Sequence, residues 1–153
     1  DALNIISEGR LSTGGKRKNW ILTPHPGEAA RLLGCSTKEV QADRFAAVEA
    51  LQKRYGGVVV LKGAGTLIAA SNKGIKLSTA GNPGMASGGM GDVLSGILGG
   101  LLAQGLAEAE AAEFGVSLHG AAADKVAAEK GAHGMLATDL VPALHSLMNE
   151  LIT

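Results

Sequence analysis

Apolar and polar positions follow two rhythms along the chain. NWILT (19–23) is a short apolar run halted by Pro24 and Pro26, as in a buried strand that ends in a loop. GEAARLLG then carries Ala29, Leu32 and Leu33 at helical spacing, with Gly34 as the stop. Ser36-Thr37-Lys38-Glu39 has the S-x-x-E form of a capping box. It predicts one helix running through Val40, Phe45, Val48 and Leu51 to Arg54 and ending at Gly56-Gly57. VVVLK (58–62) is apolar and β-branched throughout, which predicts a strand covered on both faces. TLIAA (66–70) and IKLST (75–79) follow as strands, separated by GAG and SNKG. Beyond a glycine-rich segment, helices are predicted at about 92–104, at 108–130, and from near Thr138, with Pro142 in the first turn of the last.

Helical segments alternating with mainly unbroken apolar strands predict an α/β fold with a largely parallel sheet. The short links after Val58 predict at least one antiparallel pair. No repeat, linker or boundary interrupts residues 1–153, so the chain reads as part of a single domain.

Composition narrows the picture. Hydrophobic residues make up 46% of the chain but aromatics only 3%, so the core must be built from Ala, Leu, Val and Ile. Fourteen basic and fourteen acidic residues cancel. No global field therefore steers the protein to nucleic acid or to an anionic membrane. Lys16-Arg17-Lys18, in GGKRKN, reads as a solvated turn. The single cysteine, Cys35, excludes an intramolecular disulfide and a cysteine-based zinc site, and it reads as a buried, inert thiol. VLSGILGGLLAQG is too short and too glycine-rich to span a bilayer, and no secretory signal opens the chain. The expected location is cytoplasmic.

Three segments carry candidate chemistry, each starting where a predicted strand stops. AGNPGMASGGMGDVLSG (80–96) holds six glycines, five of them ahead of an apolar helical run, and sets Asp92 at the start of that run. Backbone amides converging at a helix N-terminus bind anions without any cation. The segment is neither a P-loop, lacking G-K-[ST], nor a dinucleotide fingerprint. A tight-packing loop in which Asp92 only caps the helix would have the same composition. KGAGT (62–66) adds two glycines, the Lys62 ammonium and the Thr66 hydroxyl; a glycine hairpin with an exposed lysine is its plainer reading. LTPHPGEAARLLG (22–34) adds His25 and Glu28 in a loop stiffened by two prolines. The remaining histidines, 119, 133 and 145, match no metal spacing, and His119 reads as a packed helix residue.

With GMLATDLVPAL (134–144), these motifs resemble the ribokinase-like superfamily and, within it, the ADP-dependent NAD(P)H-hydrate dehydratases. The likeness runs over nearly the whole chain. Vitamin kinases of the same superfamily typically read T-P-N-x-x-E at the strand end. Here His25 stands at the asparagine position while Glu28 keeps its place, which favours the dehydratases. The alternatives are such a kinase, acting on hydroxymethylpyrimidine, hydroxyethylthiazole or pyridoxal, and an inactive nucleotide-binding module.

The resemblance implies a layered α/β/α fold and repair of (6S)-NADHX or NADPHX at the expense of ADP or ATP. The ring hydroxyl would be phosphorylated and phosphate would then depart. Asp92 would be the catalytic base and, with His25, would contact the substrate. Lys62, Gly63, Ala64, Gly65 and Thr66 would line the nucleotide, as would Asn82, Met85, Ala86, Ser87, Gly88, Gly89, Met90 and Gly91. His133 would lie near the adenine. Mg²⁺ is implied, with Glu28 acting through a water rather than as a direct ligand. A homo-oligomer and fusion to an NAD(P)H-hydrate epimerase domain are also implied. The family has further strands and helices before its DALN motif, so a chain opening at Asp1 is expected to be the C-terminal part of a longer protein.

Overall fold

The computed structural model describes residues 2–10 and 16–150. The chain divides into two compact units, Asp1–Ser78 and Thr79–Thr153. The sequence shows no linker at that point.

The first unit contains all the described strands. Its elements are α1 (Ala2–Ser7), β1 (Ile21–Leu22), α2 (Pro26–Leu33), α3 (Thr37–Ala42), α4 (Arg44–Tyr55), β2 (Val58–Leu61), β3 (Thr66–Ala70) and β4 (Lys76–Ser78). The sheet order is β1-β2-β3-β4. The expected predominance of parallel pairing is corrected here: β1–β2 is parallel, whereas β2–β3 and β3–β4 are antiparallel. The cause is the links, since GAG and SNKG are too short for the crossover that a parallel pair needs. Val59 pairs with Ala69 and Leu61 with Leu67, placing one set of side chains on one face. That face joins Leu22, Ala29, Leu32, Val48 and Leu51 in a core built from α2, α4 and the sheet. Tyr55, the only tyrosine, is buried there and donates from its hydroxyl to the Leu32 carbonyl at 3.0 Å. Cys35 is a half-buried free thiol at the margin of this core, less enclosed than expected. Lys16, Arg17 and Lys18 are exposed; Gly14 and Gly15 of that turn lie outside the described residues.

The single helix expected from Thr37 to Arg54 is two helices. Asp43 ends α3 and caps α4, its Oδ1 accepting from Ala46 N at 2.9 Å. The buried positions Val40, Ala47, Val48, Leu51 and Tyr55 keep one helical spacing across the break, and Phe45 falls off that face, 53% exposed.

The second unit is helical: α5 (Met90–Ala103), α6 (Glu108–Lys130) and α7 (Leu140–Glu150), with short 3-10 turns at Pro83–Met85 and Ala137–Asp139. Helix α6 packs on both α5 and α7. Met90, Ala122, Ala123, Val126, Met135, Leu140 and Ala143 form its second core. His119 is buried within α6, as the sequence suggested. No helix among the described residues is long and apolar enough to cross a membrane.

Candidate functional site

In the first unit, β1 delivers the chain through Thr23 and Pro24 to His25, which caps α2. The His25 Nδ1 accepts from the amides of Gly27 and Glu28, at 3.0 and 3.2 Å. In return the Glu28 carboxylate accepts from the His25 amide at 2.7 Å. An accepting nitrogen carries no proton, so this hydrogen-bond pattern assigns the proton of the neutral ring to Nε2. That Nε2 lies 3.5 Å from Glu28 Oε2, on a side chain about half exposed. Lys62 follows directly after β2, and its amide donates to the Pro24 carbonyl at 2.9 Å. Its Nζ lies 3.9 Å from the same Glu28 oxygen. His25, Glu28 and Lys62 are therefore gathered around one carboxylate.

The KGAGT turn rests on a side chain that the sequence motifs do not include. Arg44, the first residue of α4, donates to the carbonyls of Ala64 (2.6 Å), Leu61 (3.2 Å) and Lys62 (3.4 Å). Thr66 Oγ1 donates to the Gly63 carbonyl at 3.3 Å, so its hydroxyl is engaged within the turn.

In the second unit, the glycine-rich segment forms one continuous arrangement from Asn82 to Asp92. Asn82 Oδ1 accepts from Gly84 N at 3.0 Å and starts the 3-10 turn Pro83–Met85. Asp124, on α6, accepts from Gly81 N and from Asn82 Nδ2, each at 2.9 Å. Gly120, one helical turn earlier, lies directly under the segment: a Cβ there would sit 2.7 Å from the Ala80 carbonyl carbon.

Helix α5 starts at Met90, two residues before the expected Asp92. Gly89 is its N-cap with φ +86, a left-handed conformation suited to glycine, and no side chain caps this helix. Met90 and Gly91 are thus first-turn donors. The amides of residues 87–91 have no acceptor among the described residues. Asp92 occupies the third helical position, exposed; its amide donates to the Gly89 carbonyl at 3.0 Å, and its carboxylate has no hydrogen-bond or ion-pair partner among the described residues. The plainer reading, in which Asp92 caps the helix, does not describe this geometry. Ser87 Oγ is buried and likewise lacks a partner among the described residues. Free amides at a helix N-terminus fit an anion, and they fit a nucleotide phosphate.

A cleft of about 620 Å³ opens beside this segment, between Pro83–Ser87 on one wall and the loop 132–136, including His133, on the other. No group of three His, Cys, Asp or Glu side chains among the described residues is placed to hold a metal ion.

Sequence reasoning missed Arg44, Asp124 and Gly120. The aspartate cap before Arg44 was a usable signal for the helix break, but nothing in the linear sequence ties Arg44 to a turn beginning eighteen residues later.

Comparisons with known proteins bear on the family and the fold. The family described as NAD(P)H-hydrate dehydratase matches residues 1–146. The bifunctional NAD(P)H-hydrate repair enzyme Nnr of Coxiella burnetii is 56% identical over 97% of this chain, which spans 30% of that protein. The ADP/ATP-dependent NAD(P)H-hydrate dehydratase of Bacillus subtilis, co-crystallised with ATP and Mg²⁺, superimposes with a TM-score of 0.80 at 35% identity. That match covers 88% of this chain and 51% of the other. A ribokinase-like superfamily protein of Enterococcus faecalis gives a TM-score of 0.83 at 31% identity over 97% of this chain and 50% of its own. The fold is ribokinase-like α/β.

Proposed function

The chain belongs to the NAD(P)H-hydrate dehydratase family, and from that premise we propose that it supplies the nucleotide site and the base for dehydrating (6S)-NAD(P)HX. The observation that carries the reading is the run of unpartnered amides at residues 87–91, in front of α5, with the free Asp92 carboxylate in the same helical turn. A hydroxyl is a poor leaving group, so it is first converted to a phosphate ester. Asp92 accepts the proton of the ring hydroxyl as its oxygen attacks the terminal phosphorus of ADP, and the bond to AMP breaks. The 87–91 amides stabilise the charge building on the transferring oxygens. Phosphate then departs, a proton leaves the neighbouring carbon, and the NAD(P)H ring is restored.

The Lys62–Thr66 turn contributes a cation and glycine amides to the nucleotide, and the cleft beside His133 takes its base. Mg²⁺, which supplies charge neutralisation for phosphoryl transfer, would be held mainly by phosphates and water, as it commonly is. Glu28, whose Oε2 already accepts from the His25 amide and lies 3.9 Å from Lys62 Nζ, acts on it through a water. The name of the Coxiella relative and the 30% share of it that this chain spans support a longer protein with a second repair activity.

The test uses the full-length protein that carries this sequence. NADH regeneration from (S)-NADHX is followed with ADP present and absent, and ADP binding is measured by calorimetry. Asp92→Asn should bind ADP and lose nearly all turnover. Undiminished turnover would remove Asp92 from the role, and phosphorylated product without NADH would favour the vitamin-kinase alternative.

A further inference from the structure

We infer that Arg44 is a positioning residue for the nucleotide site, a brace that turns the KGAGT peptide planes so that the amides of Gly63 and Gly65 face the ligand. In a trans peptide the carbonyl of one residue and the amide of the next point in opposite directions. Arg44 draws the carbonyls of Leu61, Lys62 and Ala64 to its own side. The amides of Lys62, Gly63 and Gly65 must therefore point to the other side. The Lys62 amide is consumed by the Pro24 carbonyl. Those of Gly63 and Gly65 have no acceptor among the described residues.

Both glycines have positive φ, +147 and +70, which glycine adopts freely, and the two amides turned to one side offer an anion two donors. The turn also sits directly on the guanidinium: a Cβ on Gly63 would lie 2.9 Å from an Arg44 Nη. A second observation points the same way. No carboxylate among the described residues pairs with Arg44, and its Nε is buried without a partner. The cation is balanced only by carbonyl dipoles, which leaves its field available to an anion on the far side of the turn.

Three carbonyls on one planar fork also explain why lysine would not substitute. An ammonium is a point charge without the fork's fixed geometry. The helix break at Asp43 places Arg44 at the start of α4, beside the turn.

The inference rests on the nucleotide-binding reading, and the test separates the two. The full-length protein is labelled with ¹⁵N-glycine and titrated with ADP, as wild type and as Arg44→Lys. In the wild type the Gly63 and Gly65 amides should shift together with Gly88, Gly89 and Gly91. In Arg44→Lys the Gly63 and Gly65 responses should shrink, and ADP should bind about tenfold more weakly, the loss expected when one charge-assisted hydrogen bond's worth of alignment goes. Turnover at saturating ADP should change far less than the KM for ADP. A purely structural role would lower the melting temperature and leave ADP affinity unchanged below it; that result overturns the brace.

Arg44→Gln, which retains one donor group, serves as the second variant if Arg44→Lys does not fold. The wild-type titration is decisive in either case. Response at Gly88 to Gly91 without response at Gly63 and Gly65 overturns the brace and keeps the nucleotide reading. Silence at all five overturns both.

Discussion

His25 and Glu28 cap the start of α2 reciprocally, the imidazole Nδ1 taking two backbone amides while the carboxylate takes the amide of His25. This explains how either histidine or asparagine serves at the same strand-end position. Both present an acceptor close to the backbone, and asparagine is among the preferred N-caps. Only histidine adds a second nitrogen on the far side of its ring. We expect His25→Asn to keep the melting temperature within a degree or so of the wild type and His25→Ala to cost about 1 kcal/mol. Both should weaken binding of the hydrated nicotinamide nucleotide. Wild-type substrate affinity in His25→Asn would reduce His25 to a cap.

Asp124 accepts from both Asn82 Nδ2 and Gly81 N, and the two side chains are exchangeable on paper. Asp124→Asn sets one NH₂ group against another and should destabilise the protein by about 1 kcal/mol. Combining it with Asn82→Asp restores an acceptor for Gly81 N, a donor-acceptor contact between the side chains, and an acceptor for Gly84 N. Urea unfolding of the single and double variants measures the coupling. Additive losses in the double variant would show that the contacts do not act together.

Glycines in helices should respond with opposite signs. Gly99, in α5, has nothing within 4 Å of a built Cβ, so Gly99→Ala should stabilise by about 0.5–1 kcal/mol through helix propensity. Gly120→Ala gains the same propensity but drives a methyl against the backbone of Ala80. A net loss of about 1–3 kcal/mol is expected, along with weaker ADP binding as the segment above it shifts. Thermal unfolding decides both, and a stabilised Gly120→Ala would mean that Ala80 yields easily.

These contrasts show what was legible in the sequence. Strand β2 was, because four consecutive apolar β-branched or leucine residues can satisfy themselves only inside a sheet. The capping box at Ser36 and the glycine run before α5 were also readable, since their signals are local. The break at Asp43 was missed although its cap lay in the sequence, because the apolar spacing continues across it uninterrupted. The short links after Val58 showed at least one antiparallel pair, but that both pairs are antiparallel was hidden by the overall α/β pattern. Arg44 and Asp124 stayed hidden for another reason: their partners lie 17 to 43 residues away in the chain. A charged side chain that bonds backbone atoms leaves no complementary residue type in the sequence to find.

Part of the acid sensitivity can be assigned to one loop. Asp139 accepts from the Leu136 amide at 2.8 Å and pairs with Lys130 at 3.3 Å. The backbone hydrogen bond first, and Lys130 second, hold its carboxyl below the usual carboxylate value. A carboxyl depressed in the folded state stabilises that state above its unfolded value. The contribution fades as pH falls through the carboxylate range, about pH 4 and below. Asp139→Asn should therefore lower the urea midpoint at neutral pH, and the two curves should converge in acid. Glu39 and Glu150 are depressed as well, by Ser36 and by Ser146 with Lys125, but they are common to both proteins and cancel in the difference. Added salt should shrink the neutral-pH gap only in part, since it screens Lys130 and leaves the Leu136 bond. Parallel curves across the whole range would show that the Leu136 contact holds the wall of the cleft without help from the charge.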